Sequence, residues 1–265
     1  MGADTKALRT RIKSVDSTLH LTKAMGLVAS SKICRASANM KKGRQYAKAL
    51  GNIIDTLTAC PECRKSPFMR YGGERTRLIV IAGDRGLAGG YNANVFRLLR
   101  EYPDAEIVPI GKRACEKFHQ PLLSSESFSA AQSHDMAKKL CEDFAAEEFD
   151  RLGIICTNYV SMMTQDATVR WVLPLTSKKE KAVGAAFEPD EITILNTAVR
   201  EYLSGMIVAA VRESFASEVT ARKMAMDSAG KNAQQMINDL QLSYNRARQG
   251  AITQEITEIV AGSGL

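Results

Sequence analysis

Along the first sixty residues, Leu8, Ile12, Val15, Leu19, Thr22, Met25 and Val28 follow one another at intervals of three and four. That spacing predicts a helix packing along one stripe. Residues 4–56 hold no Pro and few Gly, Gly26 and Gly43 among them, so one long helix is expected. Asp4 is placed to cap its start, and Pro61 and Gly72-Gly73 mark the end of helical character. The far end of the chain reads alike. Pro189 and Asp190 give a start signal and no Pro follows. Ile192, Leu195, Val199, Tyr202 and Met206 form one stripe. Met236, Leu240, Tyr244, Ala247 and Ala251 form another, and Ile252, Ile256 and Ile259 finish it. A helix of ~70 residues extends ~105 Å, against a mean of ~11 residues in globular proteins, so it requires another long helix or a partner. The N-terminal segment is the obvious mate. Antiparallel pairing sets residue 4 opposite about residue 243, with the chain from Tyr244 onward unpaired. Small residues would let the backbones approach: Ala24, Ala29, Ser30 and Ser31 on one helix, and Ala198, Ser204, Gly205, Ala209 and Ala210 on the other. A tip carrying Ile256, Ile259, Val260 and Ala261 is costly in water and predicts a sleeve made by a partner.

Residues 75–175 follow a different period. Arg77–Ala82 reads as a buried strand, followed by a Gly-rich turn and a helix through Val95, Leu98 and Leu99. Glu106–Ile110 is a second strand, and its Pro109 assigns it to an edge or an irregular position. Ser133 opens a helix through Met136, Leu140 and Phe144. Leu152–Cys156 and Thr168–Leu173 are further strands. Right-handed βαβ crossovers are expected. The Ser/Ala-rich run 124–133 and Lys178-Lys179-Glu180-Lys181 read as surface. The fold class is α/β: a long antiparallel two-helix coiled coil of the N- and C-terminal segments plus a central Rossmann-like α/β domain. The boundaries fall at 1–58, 59–190 and 191–265.

Charge sharpens this picture. The net charge of +7 comes wholly from residues 1–56, which hold 11 Lys and Arg against 3 Asp and Glu. Such a helix is either a solvated face or the mate of an acidic surface: nucleic acid, lipid headgroups or protein. With 6% aromatic residues, a broad base-stacking surface is not expected. The longest uncharged aliphatic run, Gly205–Val211, is far short of the ~20 residues of a membrane span. Met1–Lys6 has no apolar signal core and lacks the myristoylation pattern. The six cysteines include one CxxC, Cys60 and Cys63; with three histidines there are few ligands for zinc. Reduced thiols and a solvent-exposed loop are the expectation there.

Candidate chemistry is thin. Gly83-Asp84-Arg85-Gly86-Leu87-Ala88-Gly89-Gly90 follows a strand and opens a helix, a location that favours anions. Yet it matches neither the Walker A nor the GxGxxG spacing; a tight turn whose glycines permit positive φ and close packing is the competing reading. His20, His119 and His134 have no nucleophile motif beside them, and Glu147-Glu148 fall on a polar helix end. Three classes stay open on these residues: a partner-bound coiled coil, an enzyme holding a nucleotide at 83–90, and a basic-helix nucleic-acid binder whose affinity would fall steeply with salt.

Three stretches narrow the choice. LTKAMGLVASSK at 21–32, GDRGLAGGYN at 83–92 and LSYNRARQGAITQEITEIVAG at 242–262 together resemble the gamma subunit of the rotary proton-driven ATP synthase, over nearly the whole chain. The resemblance implies a non-catalytic central-stalk rotor without a cofactor or metal. Its partners would be the alpha and beta subunits, the epsilon subunit and the c-ring, with no nucleic acid and no direct membrane insertion. It would work peripherally at the cytoplasmic face of a bacterial cell membrane. Lys23 and Met25 match the element near the beta catch loop. Arg248 and Gln249 match residues that bond that catch, with Thr253 and Glu255 following. Arg222 matches an arginine beside the beta lever, and Glu188 a foot carboxylate near the polar loop of the c-ring. Gly83, Asp84, Arg85, Gly86, Gly89 and Gly90 make the structural turn. The sequence departs from the family at Ala88, where relatives often carry Cys, and at Gly26, where they carry a better helix former, worth ~1 kcal/mol in an isolated helix. The Cys-containing insertion of chloroplast relatives does not appear, so Cys60 and Cys63 imply no redox switch.

Overall fold

Strand β1 (Thr76–Ile81) is apolar at every position from Leu78 to Ile81, and all four side chains are buried. Such a strand must have cover on both faces. In the computed structural model, which describes residues 3–177, 188–262 and 264, it has that cover. The sheet order is β2-β1-β3-β4, with β2 (Glu106–Ile110), β3 (Arg151–Tyr159) and β4 (Gln165–Leu173). β1 runs parallel to β2 and to β3, while β3 and β4 form an antiparallel hairpin. Pro109 sits on β2, an edge strand, as its missing N–H demands. One face packs Leu78, Val80 and Ile155 against Val95 and Leu99 of α1 (Tyr91–Leu99). The opposite face packs Ile79, Ile81 and Ile154 against α3 (Ala130–Ala145) and a long helix, αC (Glu191–Gly262, 72 residues). A short helix, α2 (Lys112–Lys117), precedes α3. Leu195, Val199, Leu203 and Ile207 of αC are wholly buried there, worth on the order of 6–12 kcal/mol of transfer free energy together.

Two differences from the sequence reading concern this region. α3 begins three residues before Ser133, because Ser129 and Gln132 form a reciprocal capping box; Ser133 is buried and donates to the Ser204 carbonyl at 2.8 Å. The CxxC is no exposed loop. Residues 61–65 form a 3-10 turn, and Cys60 and Cys63 are 6% and 0% exposed within the main core. Apolar neighbours on both sides of the turn pulled it inward. Burial pushes the Cys63 thiol up to about 11 and raises Cys60 as well.

The N-terminal helix, αN (Ala3–Leu57, 55 residues), and αC each run through two compact units. One comprises residues 30–222, and the other residues 1–29 with 223–265. Within the larger unit, a side chain at Gly43 would meet Ala209, and one at Gly205 would meet Tyr46 and Leu50. Within the smaller unit, Gly26 faces Met226 and Asp227, and Gly230 faces Thr22 and Leu19. Rising numbers on one helix meet falling numbers on the other in both units, so the pairing is antiparallel. The register differs from expectation: 23 residues separate Ala3 from Gly26, which brings Ala3 level with about residue 249. The reason is the seam. On αN it passes through Leu19, Thr22, Gly26 and Ala29, while Val28 points outward at 55% exposure. On αC it takes Ala233, Ile237 and Leu240, leaving Met236 44% exposed. Residues 252–262 are exposed throughout. The Asp4 cap and the Lys178–Lys181 run lie outside the described side chains.

By length and composition αC also passes for a membrane span, with a window of mean hydropathy 1.2. Its apolar stretch is spent on the core described above.

Candidate functional site

The Gly-rich turn leaves β1 at Ile81 and enters α1 at Tyr91. Its own carboxylate organises it. Asp84 accepts from the Lys112 amide at 3.0 Å, the Ser124 hydroxyl at 2.5 Å, and the Ser125 and Glu126 amides at 2.9 and 3.0 Å. Burial pushes this carboxyl upward, but the donors from Ser124 and the three amides outweigh it and hold the group below the usual carboxylate range. The run 124–133, read as plain surface, thus contains the segment that clasps Asp84. Asn92 secures the turn further, accepting from the Gly83 amide at 2.9 Å and donating to the Arg85 carbonyl at 3.3 Å.

The turn is also joined to αC. A side chain at Gly83 would meet the Glu218 carboxyl at 2.7 Å. Arg222, one helical turn on, donates to Glu218 at 2.5 Å and to the Gly86 and Arg85 carbonyls at 3.3 and 3.4 Å. Burial pushes the Glu218 carboxyl up; Arg222 pulls the other way, and Asp84 and Glu126 add to the rise. Five residues before Glu218 a second buried carboxylate, Glu213, accepts from Arg44 at 2.6 Å, Arg170 at 2.7 Å and the Tyr159 amide at 3.2 Å. Burial raises this group too, but the two arginines prevail and its pKa falls. Residues 203–220 of αC are thus covered nearly all round, with Glu213, Ser214 and Ser217 bonded to αN, β3 and β4. Glu213, Arg44 and Arg170 were missed in the sequence. The available signal was a pair of glutamates within an otherwise apolar and small-residue stretch.

The other residues singled out by sequence stand apart from this clasp. Lys23 is exposed and Met25 partly buried in the smaller unit. Arg248, Gln249, Thr253 and Glu255 are exposed on the last turns of αC, where Thr253 donates to the Gln249 carbonyl at 2.9 Å. Glu188 is exposed just ahead of αC. The start of αC is capped by Asp190, which accepts from the Thr193 amide at 2.9 Å and hydroxyl at 2.8 Å; those bonds hold its carboxyl below the usual range. Glu147 and Glu148, exposed as expected, pair with Arg70 and Arg77. His134 approaches Glu201 at 3.2 Å and His20 approaches Asp16 at 3.7 Å. Among the described residues, no group of three His, Cys, Asp or Glu side chains is arranged to hold a metal.

A family model described as ATP synthase matches residues 4–264. The chain is 35% identical over 284 residues to the ATP synthase gamma chain of Geotalea uraniireducens, covering 98% of both chains. It is 36% identical over 281 residues to that of Ruminococcus albus, again covering 98% of both. The chain belongs to the ATP synthase gamma family. A gamma chain is a non-catalytic part of the ATP synthase complex, the rotor of its central stalk. The fold agrees. One chain of the Euglena gracilis mitochondrial ATP synthase, in a structure of OSCP, F1 and c-ring, superposes with a TM-score of 0.70 at 17% identity, covering 100% of this chain and 97% of that one. A chain of the Tetrahymena thermophila central stalk and c-ring gives 0.61 at 20% identity, covering 79% and 99%. In this chain the turn at 83–90 is tied to αC through the Gly86 and Arg85 carbonyls.

Proposed function

We propose that this gamma-family chain transmits torque between the proton-driven c-ring and a ring of alpha and beta subunits, through Lys23, Met25, Arg248, Gln249, Thr253 and Glu255 at the beta catch. The observation that carries this reading is the far end of αC: residues 252–262 are exposed, with Ile252, Ile256, Ile259 and Val260 bare. Four exposed branched aliphatics on one helix end are unfavourable in water and favourable inside a sleeve. A two-helix shaft is asymmetric about a threefold axis, so each beta subunit meets a different face. Differential contact of that kind is what biases three identical sites toward three conformations. The basic αN suits acidic surfaces that slide past it, because charge attraction varies slowly with position whereas interlocked apolar packing would jam.

Arg222 is proposed as a lever contact only through its free edge, since its guanidinium already holds Glu218 and the turn. Glu188 is proposed to face the polar loop of the c-ring, and an epsilon subunit to sit beside the α/β foot. The relatives are bacterial, which supports a peripheral place at the cytoplasmic face of the cell membrane. Charge reversal tests the catch: Arg248→Glu should reduce ATP-driven proton pumping in membrane vesicles by at least ~10-fold, the scale of one charge-assisted contact, while the complex still assembles. Unchanged pumping would sink the assignment of Arg248.

A further inference from the structure

A cavity of about 490 Å³ lies within the larger unit, between αN, αC and the segment that clasps Asp84. That is the size of a small-molecule site. Its apolar lining is Ala36, Phe128, Val208, Val211 and Phe215. Its polar lining is cationic: Lys32, Arg35 and Arg212 stand against one carboxylate, Glu126, which Lys32 engages at 2.5 Å. Arg35 and Arg212 have no ion-pair partner among the described residues. Ser125 is also part of the wall. It is 4% exposed, and its hydroxyl, which has no hydrogen-bond partner, has essentially no accessible surface of its own, a condition that costs free energy. The wall is held in place, because Ser125 and Glu126 donate their amides to Asp84.

We propose that this cavity binds a small phosphate ester with an apolar or aromatic body. Two unpaired guanidiniums suit a phosphate by charge and by their forked donors. The two phenylalanines, Phe128 and Phe215, cover the organic part. None of these residues is among those assigned above to the beta catch. The site is separate from the catch residues and from the Arg222 clasp, so failure of one reading leaves the other standing.

Phenyl phosphate is the probe, titrated calorimetrically into the full-length chain at low salt, with inorganic phosphate and benzyl alcohol as head-only and body-only controls. Saturable binding is expected for phenyl phosphate, at least ~10-fold tighter than for either control. Arg35→Gln and Arg212→Gln lie on exposed helix positions and should preserve the fold while weakening binding ~10-fold or more each. Ser125→Ala supplies a control: it should leave binding unchanged and raise the melting temperature of the free chain, because an unpartnered buried hydroxyl is removed. Absence of saturable binding up to ~10 mM, or binding indifferent to both arginine substitutions, overturns the proposal.

Discussion

At the scale of single residues the chain is governed by buried charges with unlike fates. Asp84 and Glu213 have lowered pKa values; their contribution to stability is present above the ordinary carboxylate value and is lost as pH falls through the lowered one. Glu218 is the reverse. Its raised pKa means that its contribution is complete below the ordinary value and is lost as pH rises through the raised one. Urea midpoints measured across pH should therefore show wild type losing stability on that rise, and Glu218→Gln should lack the step. Gly83→Ala tests the same contact sterically. Its Cβ would meet the Glu218 carboxyl at 2.7 Å, so a loss of about 2–3 kcal/mol in denaturant unfolding is expected. The sequence disclosed Asp190 as a cap because capping is local. It hid the role of Asp84, since three of that carboxylate's four donors lie some forty residues away, at Ser124–Glu126.

At the scale of elements, both long helices and all four strands were legible, because three-and-four spacing and short apolar runs need no knowledge of the partner. The seam was legible only in part. Val28 and Met236 looked like seam positions because they are large and apolar. The structure prefers Gly26 and Ile237, since a heptad phase set by Leu19 and Leu240 overrides side-chain size. Paired substitutions separate the alternatives. Ile237→Asp should lower unfolding free energy by about 2 kcal/mol or more, while Met236→Asp should stay within about 0.5 kcal/mol, both read by thermal melts. The CxxC was misjudged for a related reason: Pro and charged letters signal a turn, but the burial of its thiols depends on helices and strands far along the chain.

At the scale of the whole molecule, the last eleven helical residues contribute little to the chain that carries them. Deleting 252–262 should shift its melting temperature by less than about 2 °C, because those residues are exposed. The same deletion should lower the yield of complex co-purified with alpha and beta subunits. An unaltered yield would remove the reason to place this end inside a sleeve. The family's three-part order was readable because its most specific run, at 242–262, is a continuous stretch of sequence. Five of the six thiols are buried and only Cys34, on αN, is exposed. A maleimide dye added to the untouched protein should therefore attach at one position, giving a native fluorescent marker on the shaft with which turning can be watched without engineering a cysteine.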